Sequence, residues 1–161
     1  MDEQAEAAKK TTLRMIPYGL YVLAAKNGDE INAGAINWVT QTSFSPPLIV
    51  MGVKKDSGLY STLKASGSFA LSFLESGQKD LAFGFFKPTS VEGQTINGQA
   101  YETASTGAPV ISAAPAFVEG KVVGEVAIGD HSCIVGEVTN AVVKREANIL
   151  TLDEAGVKYG G

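Results

Sequence analysis

Two consecutive prolines, Pro46 and Pro47, divide the chain at the point that most limits its fold. Each fixes its own φ and lacks an N–H, so the pairing of the preceding segment ends there. The next stretch, Leu-Ile-Val-Met-Gly-Val from Leu48 to Val53, is a short apolar run bounded by turn signals, which predicts a buried strand. Lys54 and Lys55 end it. Asp56 or Ser57 can cap a helix over 57–66, and Gly67 stands where a left-handed C-terminal cap is wanted. A strand that hands lysines to the first turn of a helix suits an anion, because unpaired N–H groups and the positive dipole end point outward there. Hydroxyls of Ser57, Tyr60, Ser61 and Thr62 are close by in sequence. The competing reading makes the lysines ordinary surface residues, since no Gly-rich phosphate loop accompanies them.

The rest of the chain is a succession of short runs and turns. A helix is expected from Asp2 to about Arg14, with acids at its start and bases at its end, stopped by Pro17. Residues 18–26 read as a strand, Asn27-Gly28 as a hairpin turn, and 31–43 as a second strand, small and polar in its later half. Such smallness leaves a backbone open either to a close-packed neighbouring strand or to a flat ligand. A strand is expected over 68–74 and a short helix over 78–86, whose Phe83, Phe85 and Phe86 suit a core or a subunit contact. Residues 87–108 read as a long loop. The stretches on either side of Gly129-Asp130-His131 form a long hairpin, and the tail from 150 to 161 makes a few apolar contacts and frays. The expected architecture is one domain over 1–161, mainly β with small helices, an antiparallel barrel with helical insertions.

Thirteen basic against seventeen acidic residues, with no basic cluster, argue against a nucleic-acid surface. One cysteine excludes an internal disulfide and one histidine beside it is too few for a zinc site, so no metal is expected. No apolar run approaches the roughly 20 residues needed to span a bilayer. The acidic opening lacks the apolar stretch of a signal peptide, and the expected compartment is the cytoplasm. His131, the sole histidine, is either a solvated turn residue or a polar group at a hairpin tip overhanging a ligand pocket. With no nucleophile elbow and scattered carboxylates, side-chain catalysts are scarce. A chain with an anion site and a small-residue strand then suits chemistry carried by a phosphorylated cofactor.

Several segments, in this order and spacing, carry a resemblance. They are Ile16 to Leu23, Asn37 to Ser43 before Ser45-Pro46-Pro47, Lys55-x-Ser57, Ser66 to Phe69, and Gly129-Asp130-His131 with Gly136-Glu137-Val138. From about residue 12 onward the chain resembles the flavin reductase-like, FMN-binding split-barrel family. The resemblance implies a six-stranded antiparallel split β-barrel, a homodimer, and FMN in a groove near the subunit interface. Asn37, Trp38, Thr40, Gln41, Thr42 and Ser43 would run along the isoalloxazine edge, largely through backbone groups. Lys54, Lys55, Ser57 and Tyr60 would hold the phosphate, and Phe85 would lie close to the ring. His131 would face flavin and nicotinamide, giving an NAD(P)H:flavin oxidoreductase. The alternative is an FMN electron carrier that serves a redox protein partner without using NAD(P)H. One departure stands out: Leu59 occupies a position where relatives commonly carry threonine, leaving Tyr60, Ser61 or Thr62 to substitute.

Overall fold

The computed structural model describes every residue from Met1 to Gly161. Helix α1 (Glu3–Leu13) starts where the Asp2 carboxylate accepts from the Ala5 N–H at 2.8 Å, and none of its residues is buried. Strands β1 (Tyr21–Asn27) and β2 (Glu30–Ile36) pair antiparallel down to Asn27 opposite Glu30. That register makes Gly28-Asp29 the turn, one residue later than Asn27-Gly28, with Gly28 at φ +59°. The expected single strand over 31–43 is two strands: β3 (Val39–Ser43) follows only after Asn37-Trp38. Then come β4 (Leu48–Lys54) and α2 (Gly58–Ser66). Ser57 caps α2, accepting from the Tyr60 N–H at 3.1 Å, and Gly67 closes it at φ +69°.

β5 (Ser68–Phe73) and α3 (Lys79–Gly84) precede the segment read as a long loop. That segment is not a loop. Its strands β6 (Val91–Glu92), β7 (Thr95–Ile96) and β8 (Gln99–Thr103) form a small antiparallel sheet with β9 (Pro109–Ile111), which follows it. Its first two strands have two residues each, too short for any alternation to register, though Gly93 and Asn97-Gly98 do supply the positive φ its turns require. β10 (Ala116–Val126) and β11 (His131–Val143) make the long hairpin, and α4 (Leu152–Ala155) ends the regular structure.

The main sheet has seven strands in the order β2-β1-β5-β10-β11-β4-β3, every pair antiparallel. Its outermost strands, β2 and β3, are joined by two residues alone. A sheet whose opposite edges are so tethered has to roll up, and its right-handed twist supplies the curl. No ladder joins the edges, so the antiparallel, mainly β expectation is met while the strand count is seven and the sheet is not closed by hydrogen bonds. Leu23, Met51, Val53, Phe69, Leu71 and Ile134 fill one face, covered by Leu59 and Leu63 of α2. Leu20, Val22, Ala24, Leu74, Phe85, Ile111 and Leu150 form a second core on the opposite side. The tail therefore packs instead of fraying, with Leu150, Leu152 and Ala155 all buried. No helix is long and apolar enough to cross a membrane.

Phe69, fully buried, needs the backbone of β10 and β11 against its ring. A Cβ on Gly136 would lie 2.6 Å from Phe69 Cε1 and 3.3 Å from the Met51 methyl. Gly136→Ala is therefore expected to cost about 1–3 kcal/mol by overpacking, read as a lower urea midpoint at unchanged slope.

Candidate functional site

A cleft of about 710 Å³ opens where β2, the end of β4, the start of α2 and the segment after α3 converge. Its floor is the small run Ala33-Gly34-Ala35 of β2. This edge strand is held by side-chain and loop groups in place of a further strand. Ala33 exchanges hydrogen bonds with Thr89, N–H to Oγ1 and Oγ1–H to C=O, both at 3.1 Å, and Ala35 N–H donates to Phe85 C=O at 3.0 Å. The floor packs closely against α2. A Cβ at Gly34 would stand 3.3 Å from Leu59 Cδ2, and one at Gly58 would stand 2.9 Å from Asn32 Oδ1. Asn32 in turn donates to Thr62 Oγ1 at 2.8 Å, fastening the first turns of α2 to β2.

Across the mouth stands His131, paired in register with Lys54. Its side chain is 15% exposed, so the residue belongs to the cleft and not to a solvated turn. Nδ1 lies 2.9 Å from Asp130 Oδ1 and Nε2 lies 2.6 Å from Tyr159 Oη. The hydrogen bond from His131 holds the Asp130 carboxyl below its ordinary value, whereas burial pushes the Tyr159 phenol up. Trp38 closes the group from behind, its ring centroid 4.7 Å from His131 and 5.3 Å from Tyr159. Its Nε1 is buried without a hydrogen-bond partner.

The structure brings five of the sequence-predicted residues to this cleft: Asn37, Lys54, Ser57, Phe85 and His131. Trp38 touches it through His131 and Tyr159. Thr40, Gln41, Thr42 and Ser43 do not reach it. The break at Asn37-Trp38 carries them onto β3, at the opposite edge of the sheet beside β4, where Thr40, Gln41 and Thr42 are exposed. Lys55 is turned away, its Nζ donating to Ala127 C=O at 2.7 Å. Tyr60 also points elsewhere, to Glu125 at 2.5 Å. Lys64 and Ser132 converge on the same carboxylate, and these bonds hold Glu125 down at about 2. Lys55 just before α2, Tyr60 in its first turn and Lys64 in its last thus dock the helix along its length onto the β10–β11 hairpin.

Asn32, Thr89 and Tyr159 line the cleft and were not singled out from sequence. Only the small-residue character of the second strand from Ala33 onward signalled this region; Ala33 to Ala35 and Asn37 of that stretch line the cleft, and its hydroxyl-bearing end lies on β3.

Residues 13–160 match the flavin reductase like domain. The ferric-chelate reductase (NAD(P)H) of Archaeoglobus fulgidus is 34% identical over 140 residues, which are 84% of this chain and 82% of that protein. Diflavin flavoprotein A 1 of Synechocystis is 31% identical over 128 residues, 79% of this chain but 22% of that much longer protein. Among solved structures, the NADH:FAD oxidoreductase SgcE6 of Streptomyces globisporus superposes with a TM-score of 0.73 at 27% identity, covering 88% of this chain and 84% of its own. With the family match running across nearly its whole length, the chain belongs to the flavin reductase like domain family.

Proposed function

We propose that this oxidoreductase is an NAD(P)H-dependent flavin reductase that holds FMN in the cleft floored by Ala33-Gly34-Ala35. That floor is the observation that carries the reading: backbone without bulk is what a flat ring needs, and Ala33-Gly34-Ala35 line the cleft with no side chain larger than a methyl. The residues fit the group at both ends. The Ser57-capped terminus of α2, flanked by Lys54, suits a phosphate, while Trp38, His131 and Phe85 offer an aromatic surround for a ring. When bound, FMN supplies the redox chemistry, accepting a hydride from NAD(P)H and releasing electrons to an acceptor. The protein's part is placement. Ala33 to Ala35 set the plane, the amides at the start of α2 meet negative charge, and buried Phe85 excludes water from below. His131 stands at the mouth, where a second ring would arrive. Asn37 adds a buried amide beside it. The backbone of Thr40 to Ser43 and the Lys55 ammonium serve in this reading as outer supports.

Titration with FMN, FAD and riboflavin tests this. FMN is expected to bind most tightly, and the paired substitution Lys54→Ala, Ser57→Ala to weaken FMN about tenfold while leaving riboflavin, which lacks the phosphate, within about twofold. Equal losses for both ligands would remove the phosphate from this end of the cleft. Anaerobic NADH or NADPH should then bleach the bound flavin.

A homodimer of split barrels, six strands with the short β3 as an edge extension, and a cytoplasmic setting complete the proposal. The tethered sheet edges support the barrel. Support for a dimer comes from α1, which buries nothing, and from the exposed Leu13, Met15 and Ile16 beside it. A second reading, in which the domain exchanges electrons with a protein partner, is favoured by one comparison. In diflavin flavoprotein A 1 the matching part is about a fifth of a longer chain. Flavin that stays oxidised under NADH and NADPH, yet is reduced by a redox protein, selects that reading.

A further inference from the structure

Tyr159 lines the cleft from the C-terminal segment beyond α4, and also lines an adjoining cleft of about 800 Å³ under α1, so its ring forms part of the wall between the two. It is fastened there. Its carbonyl accepts from Asn37 Nδ2 at 3.4 Å, that of Gly160 accepts from Arg14 Nε at 3.1 Å, and its ring packs on Trp38. We propose that Tyr159 is the positioning residue for His131, its phenol donating to Nε2 while Nδ1–H donates to the Asp130 carboxylate, so that the imidazole is held in one tautomer and one orientation. This rests on the reading of His131 as a residue of the reductase site.

The assignment follows from what each group can do. An ionised carboxylate only accepts, so the nitrogen 2.9 Å from Asp130 Oδ1 carries the proton. A neutral imidazole with its proton on Nδ1 has a bare Nε2, which can only accept, and the partner 2.6 Å away is a phenol able to donate. Burial raises the phenol's pKa, which keeps that donor proton in place. Trp38, edge-on to His131 with an interplanar angle of 63°, blocks the ring from swinging out of this line. Lys54, Asp56 and Asp130 are the charged groups that face the phenol. Each of the two imidazole nitrogens is therefore engaged, one by the hairpin turn and one by the chain's last residues. A ligand that reaches Nε2 has to displace the Tyr159 hydroxyl.

His131 is the only histidine, so ¹⁵N NMR of the full ligand-free chain reads this ring without ambiguity. At a pH where the ring is neutral, the expected spectrum has a protonated, pyrrole-like Nδ1 and a bare, pyridine-like Nε2. Tyr159→Phe, which keeps the ring on Trp38, should move both shifts toward an average of the two tautomers. A parent spectrum with the proton on Nε2 overturns the proposal. In turnover, Tyr159→Phe is expected to lower kcat about 3- to 10-fold with KM for the nicotinamide within about twofold, and to have no further effect once His131 is alanine. An equal drop in both backgrounds shows that Tyr159 does not act through His131, and also overturns it. Failure of the parent to bind flavin would remove the reductase reading alone, since the tautomer is measured without ligand.

Discussion

Replacing His131 with alanine is expected to slow reduction of bound flavin by NAD(P)H about 100-fold while changing the flavin dissociation constant less than about threefold. The asymmetry comes from position. The floor of the cleft and the α2 terminus are built without His131, so flavin affinity has little to lose. The imidazole lines the cleft between Asp130 and Tyr159, backed by Trp38, and in the proposed reading it orders the ring that arrives second. Stopped-flow reduction under argon, beside equilibrium flavin titration, checks both halves. An unchanged reduction rate would take His131 out of the mechanism, and a flavin constant that collapses with the rate would make it a binding residue.

The largest stability effect is expected far from the cleft. Glu119→Ala should cost about 3–5 kcal/mol, measured by urea denaturation near neutral pH. Glu119 is fully buried on β10, yet it has no cationic partner. Oε1 accepts from Thr106 N–H and Oγ1 at 3.0 and 2.7 Å. Oε2 accepts from Ser105 N–H and Oγ and from Asn140 Nδ2 at 2.9, 2.7 and 2.8 Å. Removing the carboxylate takes the acceptor from five donors at once. Glutamine does not repair this, because its NH₂ places donors against donors. Burial pushes the carboxyl pKa up, but the bonds from Asn140, Ser105 and Thr106 outweigh it and hold the group at about 2. With the folded value depressed, the stabilisation is complete above the unfolded value of about 4.5 and is lost as pH falls from there toward 2. Glu119→Gln should therefore flatten the dependence of stability on pH in that acid window. If it does not, the carboxylate is not the group that links this loop to β10.

Local chemistry made much of the molecule legible from its sequence. Ser57 and Gly67 bracket α2 as their side chains and φ preferences require, and Asp2 starts α1. The apolar runs after Pro47 and on either side of Gly129-Asp130 are strands because each is flanked by residues that cannot continue one. The small run of the second strand left two readings open, a close-packed strand or a backbone open to a flat ligand, and that run lines the cleft. Where the reading failed, the deciding contact was long-range. Thr40 to Ser43 looked continuous with that small run, but two residues, Asn37 and Trp38, send them to the other sheet edge. Lys55 stands beside the helix start in sequence, and the fold gives its ammonium Ala127 C=O as a partner outside the cleft.

Glu119 and Tyr159 show the same limit more sharply. Nothing in the run Ala-Phe-Val-Glu-Gly-Lys marks a carboxylate that is buried, because its donors come from a loop fourteen residues earlier and from the opposite strand of the hairpin. Tyr159 sits in a segment whose sequence suggested fraying, and it becomes a partner of His131, 28 residues away, only when α4 docks and turns the chain back over the cleft. The sequence by itself determined most of the longer elements, the caps of α1 and α2, the antiparallel β character and the family, since these depend on backbone preferences and periodicity over a few neighbouring residues. Only the tertiary structure decided which of the polar residues meet. Curling one sheet until its tethered edges approach selects contacts by distance in space, and no local pattern encodes that selection.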